Sequence, residues 1–551
     1  MKLRKLKQII AYILVVFILC TPLYASNQTE VQVVARANLT LSEMKYEHIE
    51  YTEVETLIKA LEPIIQQEDT ESFYSWDKEF YELYCKVNTM IQIAQLNYRL
   101  HNRQSYYFEE YLYSVELLGK IKSVYAKALE EDALSEDMTK YYGLSIERSK
   151  LVDEYITLGA DTTIEVNGKS RSLIDIAGDE AIDNEEFAKL YNEWYTAYNL
   201  AAGEILLKLV KLDNQMAKIE GHDTYVESIY EQYSRDYTSD DARRFIASVK
   251  EVISPVFASL YKYNLIAIEL LKNYSYKNDE VLMENIDKAY ISKYPELQQV
   301  YNYMKQYRLY DIETRSDKEI GGFTTYFTEY AEPFMVLNYE VPYQTALTFL
   351  HEFGHYFTYY TIGESKGGLD LDETFSQANE LLAMPYYKEI LGEQKYADAA
   401  QIYTIENMLG AVIQGCLYDE FLREVYNDPN ITVEEMNTLY QVLAKSYGLN
   451  VDGRSWCIVS HNFEMPFYYI SYSVSAITAL EMWAESLEEN GLGMKMYLDL
   501  IKEGKKHTFF ESIKNVGLAN PLEEATLKKV TNTIQEYFKL SSKVNKVKDV
   551  A

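Results

Sequence analysis

Apolar residues recur at spacings of three and four along almost the whole chain, and that period commits it to a mostly helical fold. From Ser42 to about Leu212 the pattern can be read directly, as at Leu57, Ala60, Leu61, Ile64 and Ile65. It continues to about Tyr310, resumes at about Thr345 and dominates to about Leu540. Only 10 of the 551 residues are proline and 22 are glycine, so few positions would break a long helix. Within this run, Asp161 to Ser172, with Thr162, Thr163, Ile164, Val166 and Gly168, predicts a small hairpin. There is no repeat of fixed period and no low-complexity tract.

One segment departs from the helix period. Gly321-Gly322-Phe323 opens it, and Pro333-Phe334-Met335-Val336-Leu337-Asn338-Tyr339 closes it. The second stretch is a short apolar run bounded by turn residues, which predicts a strand. A chain of this length has enough residues for a large core and for two lobes around a cleft.

The N-terminus carries Lys2, Arg4, Lys5 and Lys7, then an uncharged run from Ile9 to Cys20, then Leu23-Tyr24-Ala25 before Ser26. A basic start, a short apolar stretch and a small residue before the break predict a signal peptide over residues 1–25, cut after Ala25. The apolar run is short for a membrane span, which needs about 20 residues. A secreted protein with no stable membrane association after signal removal is the expectation. An anchor retained through an uncleaved N-terminus is the alternative. Ser26 to about Thr40 reads as a linker and 541–551 as a polar tail. Of the cysteines, Cys85, Cys416 and Cys457 would survive cleavage. Three scattered thiols are neither a disulfide framework nor a structural zinc site. With Lys plus Arg at 53 against Asp plus Glu at 85, the formal charge is −32, a field that repels phosphate backbones and argues against nucleic acid as a partner. The 53 tyrosines suit peptide-binding grooves, although filling half-exposed helix faces explains most of them.

His351-Glu352-Phe353-Gly354-His355 carries the chemistry. On a helix, residues four apart share a face, so His351 and His355 can hold one metal ion. Glu352 is rotated by about 100° from His351 and approaches the ion's open side as a general base. Three protein ligands leave a fourth position for water, whose pKa zinc lowers to roughly 7. Thr348-Phe349-Leu350 before the motif and Tyr356-Phe357 after it make this helix apolar nearly all round, hence buried. Buried imidazoles and a buried carboxylate need partners, and a metal supplies them.

A third ligand is expected downstream. After Gly367-Gly368, a flexible turn, Glu373, Ser376 or Gln377, and Glu380 share one helical face. Glu373 lies 18 residues beyond His355, room for a loop and a second helix, and would complete a His₂Glu site. Glu380, two turns further on, suits a residue that holds a ligand histidine by its free N–H.

These stretches resemble the oligoendopeptidase F and thimet oligopeptidase family of zinc peptidases. His351-Glu352-Phe353-Gly354-His355 is similar to that family's HExGH. Glu373-x-x-Ser376-Gln377-x-x-Glu380 is similar to its E-x-x-S-x-x-x-E, whose first glutamate binds zinc. His461 followed by Pro466-Phe467-Tyr468-Tyr469 and Tyr472 resembles its C-terminal histidine and tyrosines. The resemblance implies that His461, Tyr469 and Tyr472, with Tyr468 close by, stabilise the oxyanion. It implies that Leu337-Asn338-Tyr339 closes a strand whose edge pairs with the substrate backbone. It also implies two helical lobes around a deep channel that admits short unstructured peptides, with a small β-sheet at the zinc site. The resemblance spans about Ala201 to Leu540 and is weak before it. Two departures stand out: Thr358 replaces a histidine common three residues after the motif, and Ser473-Val474-Ser475 stands where a glycine is expected.

The resulting expectation is a signal peptide over 1–25, an N-terminal helical region over 26–200, a zinc metallopeptidase region over 201–540 and a tail over 541–551. Its activity would be cleavage of internal bonds in short peptides, with zinc as cofactor, water activated by Glu352, and Ser376 and Glu380 supporting the ligands. A zinc carboxypeptidase and a non-catalytic extracellular peptide-binding protein are the alternatives.

Overall fold

The computed structural model describes residues 85–97, 99–100 and 136–540, apart from 180, 316, 317, 319, 429 and 490, together with a few isolated positions before residue 136. The expected signal peptide, the linker after it, the helical pattern around Leu57–Ile65 and the polar tail lie outside the described residues. The described chain is mostly helix, with a two-stranded and a three-stranded sheet. It divides into two compact units that interleave in sequence. The larger comprises Met1–Leu134, Val256–Gly410 and Val474–Ala551, the smaller Ser135–Pro255 and Ala411–Ser473.

In the smaller unit, helices α1 (Glu136–Asp161) and α2 (Asn184–Glu220) pack along each other. Asp183 caps α2 by accepting hydrogen bonds from the backbone N–H groups of Glu185 and Glu186, and Gly221 ends it with φ of 91°. Between them lies the predicted hairpin, with β1 (Thr163–Val166) antiparallel to β2 (Lys169–Ser172). Asn167 and Gly168 turn the corner with φ of 52° and 75°, the left-handed pair that a two-residue hairpin turn requires. A short helix, α3 (Tyr225–Gln232), follows, capped by Thr224. Arg148 on α1 and Asp213 on α2 form a buried ion pair at 2.8 Å.

The larger unit contains β3 (Tyr310–Asp311), β4 (Gly321–Phe327) and β5 (Glu332–Asn338). Its two key helices are α4 (Pro342–Ile362) and α5 (Gly368–Ala383). Pro342 starts α4 with its fixed φ, and Gly363 stops it at φ of 71°. As its composition predicts, α4 is buried on most sides. Phe353 packs against Tyr301, and Phe357 stacks on Tyr497. Gly354 lets α5 come close, because a Cβ there would lie 2.7 Å from Ser376 Cα and 2.9 Å from the Phe375 carbonyl oxygen. Asn379 on α5 donates to the Leu350 carbonyl at 2.6 Å and ties the helices together.

The strand expected at Pro333–Tyr339 is present as β5, but it lies at the centre of its sheet. The order is β3-β5-β4, with β3 parallel and β4 antiparallel to it. β4 pairs along the whole of β5, β3 only at Met335 and Val336, and every residue of β5 is buried. Gly322 pairs with Leu337 and Gly321 with Asn338. Alternate residues of β4 face α4: a Cβ at Gly322 would meet Leu337 and Thr348, and Thr324 bonds to Glu352. Just past β4, the helix over 85–97 meets the turn, where Asn88 donates to Thr328 Oγ1 at 3.1 Å.

Candidate metal centre

His351 and His355 lie one turn apart on α4, and their Nε2 atoms converge on one carboxylate oxygen of α5. His351 Nε2 is 3.7 Å and His355 Nε2 is 3.5 Å from Glu373 Oε2. Two donors bound tetrahedrally to zinc at about 2.0–2.1 Å stand roughly 3.3 Å apart. The spacing is therefore close to that of a ligand set. Among the described residues these three form the group of histidine, cysteine and acidic side chains able to hold an ion. Two neutral imidazoles and one carboxylate are a donor set suited to zinc.

Further contacts orient the three. His351 Nδ1 donates to Glu380 Oε1 at 2.6 Å, which leaves Nε2 as the nitrogen available to a metal. Ser376 Oγ donates to Glu373 Oε2 at 3.2 Å and to the Glu373 carbonyl at 3.0 Å. Both predicted supporting residues thus reach a predicted ligand. Glu352 is buried, and Thr324 Oγ1 donates to its Oε2 at 2.9 Å and to its carbonyl at 3.1 Å. Thr324 carried no signal in the sequence, because its role depends on β4 lying across α4.

The pocket is rich in anions. Burial opposes the charged form of His351, but the Glu380 hydrogen bond and the surrounding carboxylates carry its pKa up to about 10. His355 is also raised: burial works against its charge, and Glu373 outweighs it. Glu352 is raised by burial, in spite of the neighbouring histidines. Three carboxylates around two imidazoles make a site that a divalent cation balances, so the residues fit a zinc ion in both geometry and charge.

Beside this cluster, Tyr359 stacks against Tyr326 of β4 at 5.5 Å and against the His355 ring at 6.3 Å. Of the three positions expected to bind substrate, Leu337 is fully buried. Asn338 spends its side chain on the neighbouring loop: it accepts from Arg315 N–H and donates to the carbonyls of Arg315 and Lys318. On the β4 side these two are paired with Gly322 and Gly321, so that edge is taken, while β3 pairs further back, at Met335 and Val336. Tyr339, just past the strand, is half-buried, and its phenol titrates higher through burial, with Thr348 and Glu352 as neighbours. Thr358, at the position of the departing histidine, is buried and donates to the Gly354 carbonyl at 3.0 Å.

The smaller unit gathers the other predicted residues. His461 lies with ring centroids 5.0 Å from both Tyr468 and Tyr469 and 6.4 Å from Tyr472. Tyr472 is 5.2 Å from each of the other two tyrosines. All four are half-buried, whereas Phe463, Phe467 and Ile470 between them are fully buried. Burial pushes the Tyr469 phenol up to about 12, so it remains a hydrogen-bond donor at neutral pH.

Residues 285–532 match the family described as peptidase family M3, a span that includes every residue of the metal cluster and of the aromatic cluster. No curated protein matches the chain. Among solved structures, one described as an oligoendopeptidase F superposes with a TM-score of 0.74 at 20% identity, covering 92% of this chain and 100% of that one. The PZ peptidase A structure with an inhibitor gives 0.73 at 22% identity, covering 91% and 100%. An oligoendopeptidase F from Bacillus anthracis gives 0.70 at 19%, covering 92% and 99%. At these identities the structural likenesses establish the fold.

Proposed function

We propose, from the match of residues 285–532 to peptidase family M3, that this chain is a zinc-dependent oligoendopeptidase that cleaves short unstructured peptides outside the cell. The observation that carries the reading is the convergence of His351 Nε2, His355 Nε2 and Glu373 Oε2 beside the buried Glu352. His351, His355 and Glu373 would hold the zinc ion. When bound, the ion supplies Lewis acidity, polarising the scissile carbonyl and acidifying a water.

The residues of this chain do the rest. Thr324 holds Glu352 Oε2, which directs Oε1 to take the proton of the attacking water. Glu352 then returns that proton to the leaving amine nitrogen. His461, Tyr469 and Tyr472, with Tyr468 beside them, donate hydrogen bonds to the oxyanion as it develops. The substrate backbone is proposed to add to the outer edge of β4, since no described strand pairs with it there. Two lobes around a channel, secretion after removal of residues 1–25, and no lasting membrane association complete the reading. No helix among the described residues is long and apolar enough to cross a membrane.

Mass spectrometry of digests of unstructured peptides tests this. Internal cuts that stop on chelation and return with zinc are expected. Stepwise loss of C-terminal residues would replace the endopeptidase with a carboxypeptidase, and tight binding without any cleavage would replace the enzyme with a binding protein.

A further inference from the structure

The segment that carries His461 and the tyrosines has little regular structure of its own. A short 3₁₀ turn, Ser455–Ile458, and a single helical turn, His461–Glu464, precede an irregular stretch that ends where helix α6 (Ile470–Glu488) begins. Carbonyl groups here lack helical partners, and buried ones must find others. Side chains from elsewhere in the smaller unit supply them. Tyr155 donates to the Cys457 carbonyl at 3.0 Å, Arg148 to that of Phe463 at 3.1 Å, and Tyr233 to that of Pro466 at 3.1 Å.

Arg235 makes the most consequential of these contacts. Its Nη2 donates to the Phe467 carbonyl at 2.6 Å and to Ser471 Oγ at 3.1 Å. These two partners bracket Tyr468 and Tyr469 in the chain, and Ser471 immediately precedes Tyr472. Phe467 has φ of 64°, a left-handed conformation that is costly for a residue with a ring on its Cβ. Its ring is buried beside Tyr426, 5.3 Å away, so the conformation is held by packing at one end and by Arg235 at the other. The guanidinium itself lies over the rings of Tyr230 at 4.3 Å and Tyr233 at 5.0 Å, which fix it from behind.

We infer that Arg235 is a positioning residue for the oxyanion donors: through the Phe467 carbonyl and Ser471 it sets where Tyr468, Tyr469 and Tyr472 stand relative to His461. This rests on the donor role proposed above for His461 and the tyrosines. Arg148 serves the same segment but is a poor probe. Its removal would strand the fully buried Asp213 carboxylate and destabilise the whole unit. Arg235 stacks on rings and bonds to neutral oxygens, so its loss strands no carboxylate among those contacts.

The test is a double-mutant cycle on the full zinc-loaded protein with an internally quenched peptide. Arg235→Met should lower kcat about tenfold or more, with KM and zinc content close to wild type. Arg235→Lys, which keeps the charge but cannot make both bonds in the same geometry, should fall between. In a background of His461→Ala with Tyr472→Phe, Arg235→Met should cost less than about twofold more, because the groups it positions are already gone. Full additivity in that background, or a loss expressed in KM or zinc content alone, would overturn the inference. Should Arg235→Met not fold, Ser471→Ala carries the same cycle with the same outcomes. A background pair that cuts as fast as wild type would refute the donor role instead, and this inference with it.

Discussion

Glu380 accepts a hydrogen bond from His351 Nδ1 at 2.6 Å, across the gap between two helices and 29 residues along the chain. The contact fixes the ring's tautomer, so that Nε2 faces Glu373 and His355. A carboxylate partner also raises the basicity of the imidazole. Glu380→Gln should therefore weaken zinc binding about 10- to 100-fold, the usual cost of losing such a partner. Competition against a chelator measures this. At saturating zinc the variant should regain much of its turnover. An unchanged zinc affinity would show that Glu380 does not orient the ligand.

Thr324 makes a related contact to the general base. Thr324→Val preserves the shape of the side chain and removes the hydroxyl that bonds to Glu352 Oε2. A hydrogen bond to a charged group is worth about 1.5–3 kcal/mol, so kcat should fall roughly tenfold or more. Zinc content should stay at the wild-type level. Steady-state kinetics with metal analysis would separate this result from a general loss of structure, which would lower both.

Gly354 is a packing requirement inside the motif. With Ser376 Cα only 2.7 Å from where a Cβ would stand, Gly354→Ala must push α4 and α5 apart. Forcing atoms into a packed interface costs about 1–3 kcal/mol, and here the displacement also separates His355 from Glu373. A lower melting temperature together with lost zinc is the expected pair of effects. A stable variant with full zinc would show that the helices tolerate the shift.

Glu406 gives a prediction for pH. Burial pushes its carboxyl up to about 7 from an ordinary value of 4.5, and Asn264 Nδ2 donates to it. The folded protein thus holds this proton more tightly than the unfolded chain does. Stability from this group is full below about 4.5, is lost as pH rises toward 7, and stays lost above. Glu406→Gln, neutral at every pH, should unfold at a higher temperature than wild type at pH 8, by the equivalent of about 3 kcal/mol. The advantage should close as the pH falls to 4.5. Thermal melts of both proteins across that range check the sign.

Much of this site was legible in the sequence because helices turn spacing into position. His351 and His355 share a face at four residues apart, and Glu373, Ser376 and Glu380 do so at three and four. The structure brings all five together. The hairpin was legible for a similar reason, since Asn167-Gly168 is a local turn signal. Strand order is a different kind of information. Pro333 to Tyr339 announces a strand, but nothing within it says whether its neighbours are strands or solvent. That depended on Gly321–Phe327, whose glycines and threonines give a weak strand signal, and on the two residues of β3, too short to read. Thr324 was hidden with them. Arg235 was hidden because its partners, the Phe467 carbonyl and Ser471 Oγ, lie more than 230 residues away, and a backbone acceptor leaves no mark in a sequence. The interleaving of the two compact units likewise follows from long-range contacts that no local pattern records.

The most direct test of the central claim is zinc content and peptide cleavage measured together on wild type and Glu352→Gln. The substitution keeps the size of the side chain and its contact with Thr324, leaves His351, His355 and Glu373 in place, and removes the proton acceptor. Both proteins should hold about one zinc ion per chain, as a three-ligand site predicts, and only wild type should cut an internally quenched peptide. Cleavage by Glu352→Gln at the wild-type rate, or the absence of zinc from both proteins, would contradict the account.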